Sequence, residues 1–160
     1  HRDMQRARED FIELLIKYKK IKGHDIVIVF DGHKSGSGTE ETIIKGGVKI
    51  IYSRLQERAD DVIKRILSMV RKEWIVISSD RDIAKHAWSL NSIPLPSERF
   101  YEIMLRQIRD NAKNIERNEK AEEIMDKDMI DDYEHHKKLK GSPRQLSKKE
   151  KALRRAIAKL

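Results

Sequence analysis

The sequence contains no cysteine. That excludes disulfides and thiolate metal sites, so any metal would have to be held by oxygen or imidazole. A reducing, cytoplasmic setting is the expected one. No apolar run approaches the roughly 20 residues a transmembrane helix needs, and no signal-peptide core is visible, so no membrane association is expected. Proline is rare, and two of the three prolines, Pro94 and Pro96, fall in the short segment Ser92–Pro96. As a strand, that segment could lie only at a sheet edge. Hydrophobic residues make up 38% of the 160 and charged residues 39%. Such a balance suits one domain with a proper core plus a solvated appendage.

Charge is abundant, and it is unevenly placed. Residues 134–160 hold ten Lys/Arg against Glu134 and Glu150, which accounts for the whole net charge of +8. The other residues balance at 25 basic and 25 acidic groups. A localised basic segment points to a polyanion, most often nucleic acid. A merely solvated charge run is the plainer alternative.

The apolar residues fall into two patterns. Trp74–Ser79 contains a short apolar run without a polar face, which suits a strand buried on both sides, and Asp25–Phe30 and Val48–Tyr52 are two further apolar, β-branched strand segments. Ala7, Phe11, Leu14, Leu15, Tyr18 and Ile21 recur at helical spacing, with Gly23 placed to stop the helix. Ile63, Ile66, Leu67 and Val70 mark a second helix ending near Arg71-Lys72. Ile83, Ala84 and Ala87 mark a third, and Phe100, Met104 and Ile108 a fourth, capped by Ser97. Trp88, Phe100 and Tyr101 fall within these helical patterns and read as core. His33 to Gly47, with four glycines, reads as a loop; its Gly36-Ser37-Gly38 lacks the Gly-Lys-Ser/Thr of a phosphate loop.

Strands alternating with helices imply βαβ units and a mostly parallel sheet. The expected fold is therefore α/β, with residues 1–109 as the body and 110–160 as a charged helical extension and basic tail. Within that extension, Asn111–His136 reads as a long exposed or partner-binding helix. Gly141-Ser142-Pro143 breaks it, and Lys148–Leu160 forms a final basic helix with Leu153, Ile157 and Leu160 on one side.

Ligands of open α/β sheets bind outside the carboxyl ends of the strands. Asp31 and Asp80 stand at two such ends, and Asp60 and Asp61 open the helix between them. Carboxylates converging from separate elements are what a hydrated divalent cation needs. Each also has a plainer role: a turn with Gly32 for Asp31, a favourable first-turn charge for Asp60 or Asp61, an N-cap for Asp80.

Val29-Phe30-Asp31-Gly32-His33, then Glu57-Arg58-Ala59-Asp60-Asp61-Val62-Ile63-Lys64, then Ser78-Ser79-Asp80-Arg81 resemble the successive motifs of the NYN domain. More narrowly they resemble its bacterial YacP-like branch, in the PIN-like nuclease group. The segment from Lys140 to Glu150 is similar to the basic ending of some YacP-like proteins. The resemblance implies a PIN-like three-layer fold and a metal-dependent endoribonuclease using Mg²⁺ or Mn²⁺. The implied partners are RNA (mRNA, rRNA or tRNA) and the ribosome. Asp60, Asp80 and Asp31 are the implied metal ligands and, with Asp61, the implied catalytic acids. The family opens with a strand ending in an Asp-Gly-Tyr-Asn-like motif whose aspartate binds metal, and that strand is expected upstream of His1. Without it, a non-catalytic RNA- or ribosome-binding module is the alternative. Arg54, Arg58, Lys64, Arg81 and Lys85 around the site, and Arg144, Lys148, Lys149, Arg154 and Arg155 in the tail, are the expected RNA contacts.

Overall fold

A computed structural model of the chain describes residues 2–32, 38–70, 72–125 and 147–160. The element order is α1 (Arg2–Lys22), β1 (Val27–Phe30), β2 (Glu41–Lys45), β3 (Val48–Tyr52), α2 (Ala59–Met69), β4 (Ile75–Ile77), α3 (Arg81–Ser89), β5 (Ile93–Leu95), α4 (Ser97–Met125) and α5 (Lys148–Lys159). The architecture is α/β. Among the described residues no helix is long and apolar enough to cross a membrane. The segments 33–37, 126–136 and 141–146, with Arg144 and much of the expected second half of the charged helix, lie outside the described residues.

Of the expected α1 stripe, Leu15 and Tyr18 are buried, Phe11, Leu14 and Ile21 are half-buried and Ala7 is exposed; Ile12 and Ile16 complete the buried face. Ile12, Leu15, Ile16 and Tyr18 are buried against Val48 and Ile50 of β3, Leu95 of β5, and Phe100, Ile103 and Met104 of α4. Gly23 closes the helix in the left-handed region (φ +73°), its N–H bonding to the Lys19 carbonyl at 2.7 Å. A second, smaller cluster joins Leu67 of α2, Val76 of β4, and Ile83 and Ala87 of α3. Phe100 and Trp88 are buried and half-buried, but Tyr101 is 44% exposed.

The sheet differs from the expected one in two ways. First, residues 41–45 are not loop. They form β2, antiparallel to β3, and Gly46 (φ +56°) and Gly47 (φ +79°) make the two-residue turn whose mirror-image geometry glycine allows. A Cβ on Gly46 would fall within 2.6 Å of the Ile16 side chain, so α1 packs directly over this turn. Second, the strands form two sheets rather than one. β1 and β3 are parallel in the order β1-β3-β2, while β4 and β5 form a separate parallel pair.

The last two helices hold the remaining surprises. Ser97 is the first residue of α4 rather than its cap, and the helix runs from Ser97 through Asp110 to Met125 without a break. Helix α5 begins with a capping box between Ser147 and Glu150 and packs its apolar side, Leu153, Ile157 and Leu160, on the main core. Tyr18 Oη donates to the Leu160 carbonyl at 2.8 Å, and His24 Nε2 lies 2.9 Å from the Lys159 carbonyl.

Candidate functional site

The carboxyl ends of β1 and β3 are locked together by Ser53. Its N–H donates to the Phe30 carbonyl (3.0 Å), its Oγ accepts from the Gly32 N–H (3.0 Å), and the same hydroxyl donates to the Glu57 carbonyl (2.6 Å). Gly32 is required by contact: a Cβ there would stand 1.7 Å from the Ser53 carbonyl oxygen. This close approach fixes where Asp31 leaves the strand. Asp31 Oδ1 accepts from the Ala59 N–H at 2.7 Å, at the start of α2. The helix's own N-cap residue, Arg58, makes no side-chain cap bond, so Asp31 serves that end from a distant part of the chain. Asp60 and Asp61 occupy the same first turn, and the Arg58 guanidinium bonds Asp60 Oδ2 at 2.8 Å.

Asp80 arrives from β4 in an equivalent way. It is the N-cap of α3, its Oδ1 accepting from Asp82 N–H (2.7 Å) and Ile83 N–H (3.0 Å). These backbone bonds, Ile83 first, hold its carboxyl below the usual range, and Lys64 and Arg58 of the α2 end lower it further. Arg58 therefore acts on Asp80 while bonded to Asp60, and Asp31 is tied to the residue after Arg58. Asp31 and Asp60 stand at the amino end of α2 and Asp80 at the amino end of α3; we call these two strand-to-helix ends the acidic rim. Beside it, Ser78, Ser79, Asp80, Arg81, Pro94 and Glu98 line a cleft of about 330 Å³. There Ser79 Oγ donates to Glu98 Oε2 (2.8 Å) and accepts from Ser97 N–H (3.2 Å). The Glu98 carboxyl is held low by its own backbone N–H and then by Ser79.

The basic residues expected to contact RNA separate into two regions. Arg58, Lys64 and Arg81 lie at the rim or its cleft, and Arg54 bonds Glu57 at 3.0 Å close by. Lys85 pairs with Asp82 (3.7 Å), both largely exposed. Lys148, Lys149, Arg154 and Arg155 are exposed on α5. That helix ends at the other side of the sheet: Lys159 reaches Glu73 (3.9 Å), just before β4, and its carbonyl faces His24, just before β1. At about 3.3 Å per extended residue, Glu73 and Asp80 are at most roughly 20 Å apart. The carboxyl end of the tail helix therefore lies at the opposite end of β4 from Asp80.

Sequence reasoning missed Ser53, Glu98 and Arg8. Arg8, on α1, lies over the Phe30 and Tyr52 rings at 4.8 and 5.8 Å. Strand ends flag the acids, but no local signal marks residues that act through contacts with distant parts of the chain.

The donor set is all oxygen, which suits a hard divalent cation. No three His, Cys, Asp or Glu side chains among the described residues stand close enough together to cage an ion. Both bonds to Asp80 use Oδ1, and its second oxygen takes no part in them. The residues therefore fit a hydrated ion on one or two carboxylates rather than an all-protein site.

The family model of the YacP-like NYN domain matches residues 1–142. The chain belongs to the YacP-like NYN family. Membership in this nuclease-like family supports a ribonuclease-type function in general and RNA as the polymer acted on. Among solved structures, the YacP-like chain is similar to the crystal structure of Rae1 (YacP) from Bacillus subtilis. That likeness has 20% identity and a TM-score of 0.54, and covers 75% of this chain and 72% of the other. It is a likeness of fold. No curated protein matches the chain.

Proposed function

We propose that this YacP-like NYN protein is an endoribonuclease hydrolysing RNA phosphodiester bonds at the Asp31, Asp60 and Asp80 rim, with Asp61 beside it. The reading includes a PIN-like three-layer fold, Mg²⁺ or Mn²⁺ at the carboxylates, and cellular RNA, ribosome-bound RNA included, as substrate in the cytoplasm. One observation supports it: Arg58, bonded to Asp60, also lowers the Asp80 carboxyl, so acids distant in sequence stand within electrostatic reach of one arginine. A divalent cation held there would neutralise charge on the phosphodiester and activate a water. Arg58, Lys64 and Arg81 would hold the flanking phosphates, and residues 110–160 would add affinity through the basic helix.

The test is cleavage of labelled RNA by the purified chain. EDTA is expected to stop it, and excess Mg²⁺ or Mn²⁺ to restore it. Asp60→Asn with Asp80→Asn is expected to lower the rate by at least about 100-fold. Cutting that persists in EDTA would contradict the metal-dependent reading.

A second reading, an RNA-binding module without cleavage, is favoured by the lack of a three-acid group among the described residues. Under that reading RNA affinity falls steeply with salt, survives the double Asn substitution, and is accompanied by no cleavage at any metal concentration.

A further inference from the structure

The carboxyl ends of β1 and β3 carry more than Asp31. Phe30 and Tyr52 are the last residues of these strands and sit opposite each other in the parallel register. Their rings stack at 5.7 Å with a 26° tilt. Both pack against the main core yet stay half-buried, whereas Tyr18 and Phe100 are taken fully into it. The Arg8 guanidinium lies over both rings, from the amino-terminal half of a helix whose other end packs on the Gly46-Gly47 turn. A cation and two aromatic faces are thus gathered at a strand end that continues directly into Asp31.

We propose that Arg8, Phe30 and Tyr52 form a nucleobase-stacking site for single-stranded RNA bound across the Asp31 rim. Base faces stack on aromatic rings and on the guanidinium plane without regard to sequence, and Arg adds attraction for the adjoining phosphate. Phe30, the last residue of β1, is covered by Arg8 of α1, while Asp31 just after it bonds Ala59 at the start of α2, so the two side chains face different helices. A strand of RNA crossing the rim meets the stack on the α1 side and the acids on the α2 side. The stack then holds a base flanking the bond to be cut rather than the bond itself. Arg8, Phe30 and Tyr52 are positioning residues, and their role rests on the ribonuclease reading only for the direction in which the RNA runs.

The experiment uses the full chain and a short single-stranded RNA carrying 2-aminopurine, with EDTA present to separate binding from cleavage. Stacking quenches 2-aminopurine fluorescence. The wild-type chain is expected to quench it on binding. Arg8→Ala and Tyr52→Leu are expected to lose most of the quench and about tenfold in affinity, while Tyr52→Phe retains both. Arg8→Ala alters a half-exposed helix position and keeps the proposal testable should Tyr52→Leu unfold. With Mg²⁺ added, these losses are expected in KM more than in kcat. Wild-type quench and affinity in Arg8→Ala and in folded Tyr52→Leu would overturn the stacking site, and would leave the ribonuclease reading standing if the RNA is still cut. Quench lost as expected, but with no cleavage by the wild-type chain, would support the stacking site and count against the ribonuclease.

Discussion

At the scale of single residues, small contacts decide where the chemistry-bearing groups stand. Gly32 can hold no side chain because of the Ser53 carbonyl. Gly32→Ala is expected to cost about 3 kcal/mol or more, read by denaturant unfolding, since the obstacle is backbone and cannot rotate away. Tyr18 shows a different dependence. Burial pushes its hydroxyl up to about 12, and that hydroxyl donates to Leu160. Its unfolded value is near 10, so the native state keeps the proton over a range where the unfolded chain has lost it. Stability from this group is complete below about pH 10 and is lost as pH rises towards 12. Tyr18→Phe should flatten that alkaline loss in thermal melts, while costing about 1 kcal/mol at neutral pH for the missing hydrogen bond. Asp31 and Asp80 were legible from sequence because each follows a short apolar run. The N-cap role of Asp80 was legible too, but the bond of Asp31 was not, since Asp31 caps a helix 28 residues further along the chain.

Among the elements, the helices were the most legible: α3 buries Ile83 and Ala87 as expected, while α1 and α2 bury only part of the stripes read from sequence, Ala7 and Val70 being exposed and Val62 taking a core place. The strand β2 was hidden. Thr42, Ile43 and Ile44 are β-branched, but they sit among glycines that also suit a loop, and all five β2 residues are exposed. Only pairing with β3 makes the segment a strand. Helix α5 looked like a basic tail, and its apolar side proves equally important. Leu160 is 6% exposed in the main core. Leu160→Ala is expected to destabilise the fold by about 2–4 kcal/mol, whereas Lys149→Gln with Arg154→Gln should leave the melting temperature nearly unchanged. A Leu160→Ala protein as stable as wild type would show that α5 does not hold to the body.

For the molecule as a whole, charge is divided between two ends. The acidic rim and its arginines face one end of the strands, and α5 reaches the other. The two ends are separated by the length of β4 and its flanking residues, at most roughly 20 Å. If α5 binds phosphates, replacing Lys148, Lys149, Arg154 and Arg155 by Gln should reduce the slope of log affinity against log salt by roughly 3 for single-stranded RNA, at about 0.7 per phosphate. An unchanged slope would mean that the tail charges only solvate the surface. The sequence revealed the charge excess but not this division, which depends on the tail folding back to Tyr18 and His24.

The rim itself is best tested by Asp80→Asn. Asparagine caps a helix about as well as aspartate, so α3 should stay formed and the melting temperature hold within a few degrees, while the carboxylate is lost. Cleavage of single-stranded RNA under single-turnover conditions with Mg²⁺ is expected to slow by at least about 100-fold in this folded variant. A folded Asp80→Asn protein that cuts RNA at the wild-type rate would contradict the assignment of catalysis to this rim.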